Sequence, residues 1–362
     1  MTQPTAPMPD KGWSRELVIL ENATVAPPMV SRPRTPSGVW CDGDIAQAAM
    51  WRHDDRMSLA LTEKPEPVET LKGRYLFGGM FYKEFGHFIT ETIGRLWAND
   101  NSYDGILMTP KHAHLTGFPL WQREFLKTIG VEKLPLLIAR PTLVEHLTVP
   151  GQGFGLGSIS TGTPEFKAMI KNTIGRMPAA GPDKIYISRT QYGAKGGILA
   201  ESVLEQNLQQ SGYQPVFAEK LSWKEQIARY LAAKKVVSLD SSALHMVGLA
   251  ANPGTEIAVV VRRNNFEWDC MRRQLESFIG KPPVIINSLV AEHLVAGKKS
   301  NHQSWGEIDF DEVRAHLVDH GFIAPDAPWS SPTPELLARD IADAQRRDER
   351  PLFHTPVTAR VS

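Results

Sequence analysis

Residues 184–263 alternate short β-like runs with amphipathic helices, and few architectures accept that alternation. KIYIS (184–188), QPVF (214–217), KVVSL (235–239) and EIAVVV (256–261) are apolar and rich in β-branched or aromatic residues, as strands buried on both faces are. After the first run, Leu199, Val203, Leu204 and Leu208 recur at helical spacing, and Gly212 supplies a stop. Ser222 followed three residues later by Glu225 is a capping-box signature, and Trp223, Ile227 and Leu231 line one face of the helix it opens. A third helix is expected over 242–250, ending at Asn252-Pro253-Gly254. Strict alternation demands crossovers, and therefore a parallel sheet covered on both faces. Such sheets bind ligands at the carboxyl ends of their strands, beside the positive ends of helices. Those ends carry Ser188, Arg189 and Lys195-Gly196-Gly197, then Asp240, Ser241 and Ser242, then Arg262 and Arg263. Together they form a candidate anion cradle.

With 362 residues the chain has room for two domains. Forty basic and forty acidic side chains cancel, which argues against a nucleic-acid footprint or a polybasic membrane surface. Cys41 and Cys270 cannot make a disulfide framework. The opening MTQPTAPMPDKGW lacks the charged and apolar regions of a secretory signal, and no run approaches the ~20 apolar residues of a membrane span. The expectation is a cytoplasmic protein with a disordered leader over 1–14.

Upstream of the alternating stretch, residues 16–25 and 72–82 read as strands, the second around a Gly-Gly break. From Glu84 the period becomes helical. At 100° per residue, Phe88, Ile89, Thr92, Ile93, Leu96 and Trp97 form one arc, while His87, Glu91 and Arg95 fall together opposite it with Gly94 and Ala98. That polar trio is either a solvated face carrying a carboxylate–cation pair or a cleft-facing site in which Glu91 orients the His87 imidazole. The glycine-rich run 151–158 lacks the G-x-G-x-x-G spacing and reads as a connection between domains. Asp309-Phe310-Asp311 resembles a metal-nucleotide motif, but Asp309 with Glu312 reads better as a helix cap. His53-Asp54-Asp55 and His112-Ala113-His114 have no partner cluster at metal-ligand spacing. Asp240, Ser242 and His245 are the residue types of a hydrolase triad, yet they sit on one turn and helix, whereas a triad converges from separate elements.

These features resemble those of glycosyltransferase family 61. The resemblance lies in Ile187-Ser188-Arg189, Lys195, Gly212-Tyr213, Leu221-Ser222, Glu225-Gln226 and the segment 233–244, with an upstream helix matching at His87, Phe88, Glu91, Arg95, Leu96 and Trp97. Two departures stand out. The loop QYGAKGG leaves Lys195 as its nearest cation, and Asp240 opens a turn where the family pattern has histidine. An aspartate there repels a pyrophosphate unless it turns to a ribose hydroxyl or caps its own helix.

The resemblance implies an α/β fold of two Rossmann-like lobes facing a cleft, the GT-B architecture. The expected division is an acceptor-binding lobe over 15–160, a nucleotide-sugar-binding lobe over 161–290, and a helical extension over 291–362 packing back on the lobes. It further implies inverting transfer, without an essential metal or cofactor, from a nucleoside-diphosphate sugar to a hydroxyl of a glycan or surface polysaccharide. That acceptor would bring the protein to the membrane periphery. His87 is then the candidate base, held by Glu91, because an imidazole titrates near working pH. Arg95, Arg189, Lys195, Gln226, Asp240, Ser241, Ser242, His245 and Arg262 are the candidate substrate-binding residues, with Arg263 beside them. The expectation places an imidazole from the first lobe opposite a guanidinium from the second. The altered turn also fits a second function, a non-catalytic nucleotide-sugar or glycan-binding module.

Overall fold

The computed structural model describes residues 15–29, 34–52, 55–192 and 196–361. The expected leader, His53, Asp54 and the candidate cation Lys195 lie outside them. The chain divides into two units, Met1–Met177 and Pro178–Ser362. The boundary therefore falls later than the expected one near residue 160, and the glycine-rich run lies inside the first unit.

Strands β1 (Leu17–Ala26), β2 (Gly38–Trp40), β3 (Glu69–Phe81), β4 (Gly105–Pro110), β5 (Leu136–Leu137) and β6 (Thr142–Pro150) build the sheet of the first unit. Their order is β2-β1-β6-β3-β4-β5. β1 runs antiparallel to β2 and β6, whereas β6, β3, β4 and β5 are mutually parallel. Alternate residues of these strands, Val25, Phe77, Leu107 and Leu147 among them, are sealed in the core. The register between β3 and β4 shifts between Phe77 and Gly79. Gly79 has φ +91°, and a Cβ there would lie 2.9 Å from Arg95 Cδ, so only glycine permits this bend. Helices α1 (Leu120–Thr128) and α2 (Pro164–Asn172) belong to the same unit, α2 opening on Thr163, whose side chain accepts from Phe166 N.

In the second unit β7 (Lys184–Ile187), β8 (Gln214–Val216), β9 (Lys235–Leu239), β10 (Glu256–Val260) and β11 (Val284–Ile286) form an all-parallel sheet in the order β8-β7-β9-β10-β11. The crossovers are α3 (Glu201–Gln210), α4 (Trp223–Ala232), α5 (Ala243–Ala250) and α6 (Glu267–Ile279). This is the doubly wound order in which the chain first steps one way from β7 and then returns past it, leaving a switch point between β7 and β9. The expected capping box opens α4: Ser222 Oγ accepts from Glu225 N at 3.3 Å, and the Glu225 carboxylate accepts from Ser222 N at 2.9 Å.

The apolar stretch 284–290 is divided between two strands in different sheets. Ile286 O accepts from Val261 N in the parallel sheet, whereas Ser288 O accepts from Asp309 N, so the chain changes sheets at Asn287. Beyond it, β12 (Leu289–Val295), β13 (Trp305–Ile308) and β14 (Leu352–Pro356) form a smaller sheet in the order β13-β12-β14, with Gly197–Ile198 beside β13. Asp309 caps α7 (Phe310–Asp319), accepting from Asp311 N at 2.9 Å and Glu312 N at 3.0 Å. The final helix α8 (Pro334–Asp348) docks on its own unit, where Asp340 Oδ2 accepts from Ala200 N at 2.9 Å. Among the described residues the chain is thus mixed α/β with open sheets. The first unit's sheet departs from the doubly wound pattern by its antiparallel β1 and β2.

Candidate functional site

Each unit gathers charged side chains at the carboxyl ends of its parallel strands. In the first, Tyr82 follows β3 and Lys111 follows β4, and the chain after β3 turns at once into a compound helix: Phe85–His87 is α-helical, Phe88–Thr92 is a π turn, and Ile93–Ala98 is 3-10. A π turn adds a residue to the ring and is common at functional positions. Thr92 Oγ1 ties it to the strand end by accepting from Tyr82 N at 2.9 Å.

Glu91 is buried at the middle of the cluster. Its Oε2 lies 2.6 Å from His87 Nδ1, while Arg52 grips both oxygens, donating from Nε to Oε1 at 2.6 Å and from Nη2 to Oε2 at 2.7 Å. Arg52 Nη2 also donates to the Tyr82 hydroxyl oxygen at 3.2 Å. Burial by itself would raise the Glu91 carboxyl, but the hydrogen bonds from His87 and Arg52 outweigh it and hold the group below its ordinary range. A carboxylate only accepts, so the short contact requires the proton on His87 Nδ1. Arg52 Nη2, 3.3 Å from that same nitrogen, is then a neighbour and not a donor to it. The nitrogen left with a lone pair is Nε2, on a side chain that is 37% exposed. Burial and the Glu91 charge push the Tyr82 phenol upward, and burial and Arg52 push the Lys111 ammonium downward.

Arg95 is a correction to the expected polar face. It is 2% exposed, and its guanidinium donates to Pro150 O and, at 2.6 Å, to Ala49 O. Burial lowers its pKa to about 9. A uniform 100° step fails here because the π turn and the 3-10 turn of about three residues rotate Arg95 away from His87 and Glu91 and into the core. Gly94 is needed beside it, since a Cβ would strike the Phe154 carbonyl; Gly153 N donates to Gly94 O at 2.8 Å. The glycine-rich run is thus packing for this helix.

Sequence reasoning missed Arg52, whose partners lie 35 and 39 residues away and share no period with it. Gln152 places it, accepting from Trp51 N at 3.0 Å and donating to Trp51 O at 3.2 Å, while Arg95 holds Ala49 O. The signal was weak but present, in a lone Arg52 beside acids that have no metal-ligand spacing.

In the second unit the residues at the switch point come from β7, β9 and β10. Arg189 follows β7, its backbone N donating to Glu201 Oε1 at 2.7 Å and its Nη2 to Gly196 O at 3.1 Å. Among the described residues, Arg189 Nε and the Ser241 hydroxyl are buried polar atoms without a hydrogen-bond partner. Ser242 is half-buried at the start of α5. A cavity of about 190 Å³ next to Arg189 is lined also by Tyr192, Glu201, Trp305, Asp340 and Arg347. Glu201 accepts from Tyr186 Oη at 3.0 Å, and burial raises its carboxyl to about 7 against the pull of Arg189.

Asp240 does not face outward to a ligand. It is fully buried, with Oδ1 2.9 Å from Arg262 Nε and 3.3 Å from Arg263 Nε, and it accepts from Arg262 N. The Arg262 Nε hydrogen itself points to the Asp240 carbonyl, 3.0 Å away. One carboxylate thus serves two arginines, and burial lowers Arg262 to about 10 despite Asp240. Gln226 and His245 are also corrections. Gln226 Nε2 donates to Ala218 O and Leu221 O, bracing the turn before α4. His245 Nδ1 lies 2.7 Å from Gln274 Oε1, and Gln274 Nε2 donates to His245 O, so this imidazole fastens α5 to α6.

The family model described as Glycosyltransferase 61 matches residues 85–258, just under half of the chain. Residues 85–258 belong to glycosyltransferase family 61. The family 61 stretch contains His87 and Glu91 and runs through the switch point to β10; Arg52, Arg262 and Arg263 lie outside it. The chain is accordingly a glycosyltransferase, which implies a sugar donor and a glycan acceptor. No protein of curated function matches it. Among the described residues no helix is long and apolar enough to cross a membrane.

Proposed function

We propose that this glycosyltransferase inverts the anomeric centre of a nucleoside-diphosphate sugar in a metal-independent transfer, in a GT-B arrangement with the acceptor on the first unit and the donor on the second. The observation that carries the reading is the Arg52–Glu91–His87 chain, with its 2.6 Å contact at Nδ1. Inversion needs one base. His87 Nε2 takes the acceptor hydroxyl proton as that oxygen bonds to the anomeric carbon and the bond to the diphosphate oxygen breaks. The imidazolium so formed keeps its Nδ1 proton on Glu91, which stays ionised because Arg52 holds both its oxygens. The departing diphosphate carries the bonding electron pair away, and Arg189, the Ser241 hydroxyl and the start of α5 stabilise it. Two buried polar atoms without partners, Arg189 Nε and Ser241 Oγ, support assigning that role to the β7–β9 switch point. Arg262 acts through Asp240 to shape the turn, since its charge is largely spent there.

His87→Ala tests the reading. Transfer measured as kcat/KM should fall by roughly 10²–10⁴, the ordinary contribution of a general base, while calorimetry shows nucleoside-diphosphate affinity within about twofold of wild type. A variant with undiminished transfer would remove His87 from the reaction.

A further inference from the structure

Outside both clusters, the small sheet of the second unit sets two imidazoles and a carboxylate on one face. His293 on β12 pairs directly with His354 on β14, and Glu307 on β13 pairs with Ala291, two residues before His293. With a side-chain period of two, these positions share a face. His293 Nε2 lies 3.3 Å from Glu307 Oε2, and the two imidazole rings meet edge to face with centroids 5.2 Å apart. One nitrogen of each ring and one Glu307 oxygen all lie within 4.8 Å of one another, the only such group of three among the described residues.

We propose that His293, Glu307 and His354 bind a divalent transition-metal ion, with Zn²⁺ the fitting species. Two imidazole nitrogens and a carboxylate oxygen are a borderline donor set that suits zinc, and three protein ligands leave a fourth position for water. Zinc bonds of about 2.0–2.1 Å put tetrahedral ligand atoms about 3.3 Å apart, the separation His293 and Glu307 already have. Only His354 has to swing inward, and it is exposed, so no buried packing has to give way. His293 is buried and fixed by strands on both sides, which gives the site one rigid ligand. The ion would fasten β14, the last strand, to the sheet.

The test uses the full chain, stripped of metal by a chelator, dialysed and titrated with ZnCl₂ in competition with a chromophoric chelator. Wild type should bind one equivalent saturably, and Co²⁺ in its place should give the absorption bands of a tetrahedral site. His354→Ala and Glu307→Gln, both at accessible positions, should each weaken binding at least tenfold and abolish the Co²⁺ bands, with the metal-free circular dichroism unchanged. The pair His112→Ala/His114→Ala, which removes the stacked surface histidines after β4, should leave the site intact. Absence of saturable binding, equal affinity in His354→Ala, or loss of the site in the His112/His114 pair would each overturn the proposal. Binding is the readout throughout, so the outcome is independent of the transfer mechanism.

Discussion

Each unit buries a glutamate beneath its strand-end cluster, and the two carboxyls are displaced in opposite directions. Glu91 has a guanidinium on both oxygens and an imidazole proton on one, and it is held below the ordinary range. Glu201 accepts from a backbone amide and a phenol, and burial carries it up to about 7. Burial opposes the charge in both places. What differs is whether a cationic side chain hydrogen-bonds the carboxylate, so pairing and not depth decides which one stays ionised. The first arrangement suits a group that must steady a charged imidazole. The second leaves the Arg189 guanidinium pointing past Glu201 to Gly196 O.

Removing the cation should turn the first case into the second. In wild type the depressed Glu91 contributes stability that is fully present above its unfolded pKa and lost as pH falls through the folded one. In Arg52→Met the carboxyl rises, so stability is instead lost as pH climbs out of the ordinary carboxylate range. Denaturant titrations near neutral pH should show a loss of about 2–4 kcal/mol, below the full cost of a stranded buried charge because Arg52 is itself partly exposed. Transfer should fall at least tenfold. An unchanged pH slope would break the comparison.

Glu201→Gln sharpens it from the other side. A carboxyl raised from 4.5 to about 7 makes wild type lose stability as pH rises between those values, by up to about 3 kcal/mol. Below the lower value the group costs nothing, and above the higher one the loss is complete. Glutamine keeps the acceptor for Tyr186 and Arg189 N without the charge, so the variant's Tm against pH should lack that decline.

Arg189→Ala should have the smallest effect. Nucleoside-diphosphate affinity measured by calorimetry should weaken roughly tenfold, the worth of one charged hydrogen bond, with stability changed by less than about 0.5 kcal/mol. A stability loss like that of Arg52→Met would mean that Arg189 supports the fold as Arg52 does.

The sequence was most legible where one local period governs. The strands β7 to β10, the helices between them, the Ser222–Glu225 box and the Asp309 cap all follow from spacings of two to four residues. The pairing of His87 with Glu91 was legible for the same reason, since they stand one turn apart. Arg95 was misplaced because the helix changes its period partway, which no wheel drawn at a fixed angle can register. His245 and Gln226 were misassigned because polar residues at helix starts look alike whether they meet a ligand or a neighbouring helix.

Sequence by itself determined the family stretch, the parallel sheet and the strand ends at which charge collects, because those depend on neighbours close along the chain. Tertiary structure alone decided that Arg52 grips Glu91, that Asp240 lies against two arginines, and that His293, Glu307 and His354 meet. Those pairings close loops of 14 to 61 residues and are fixed by sheet order and backbone carbonyls, which leave no periodic trace in the order of residues.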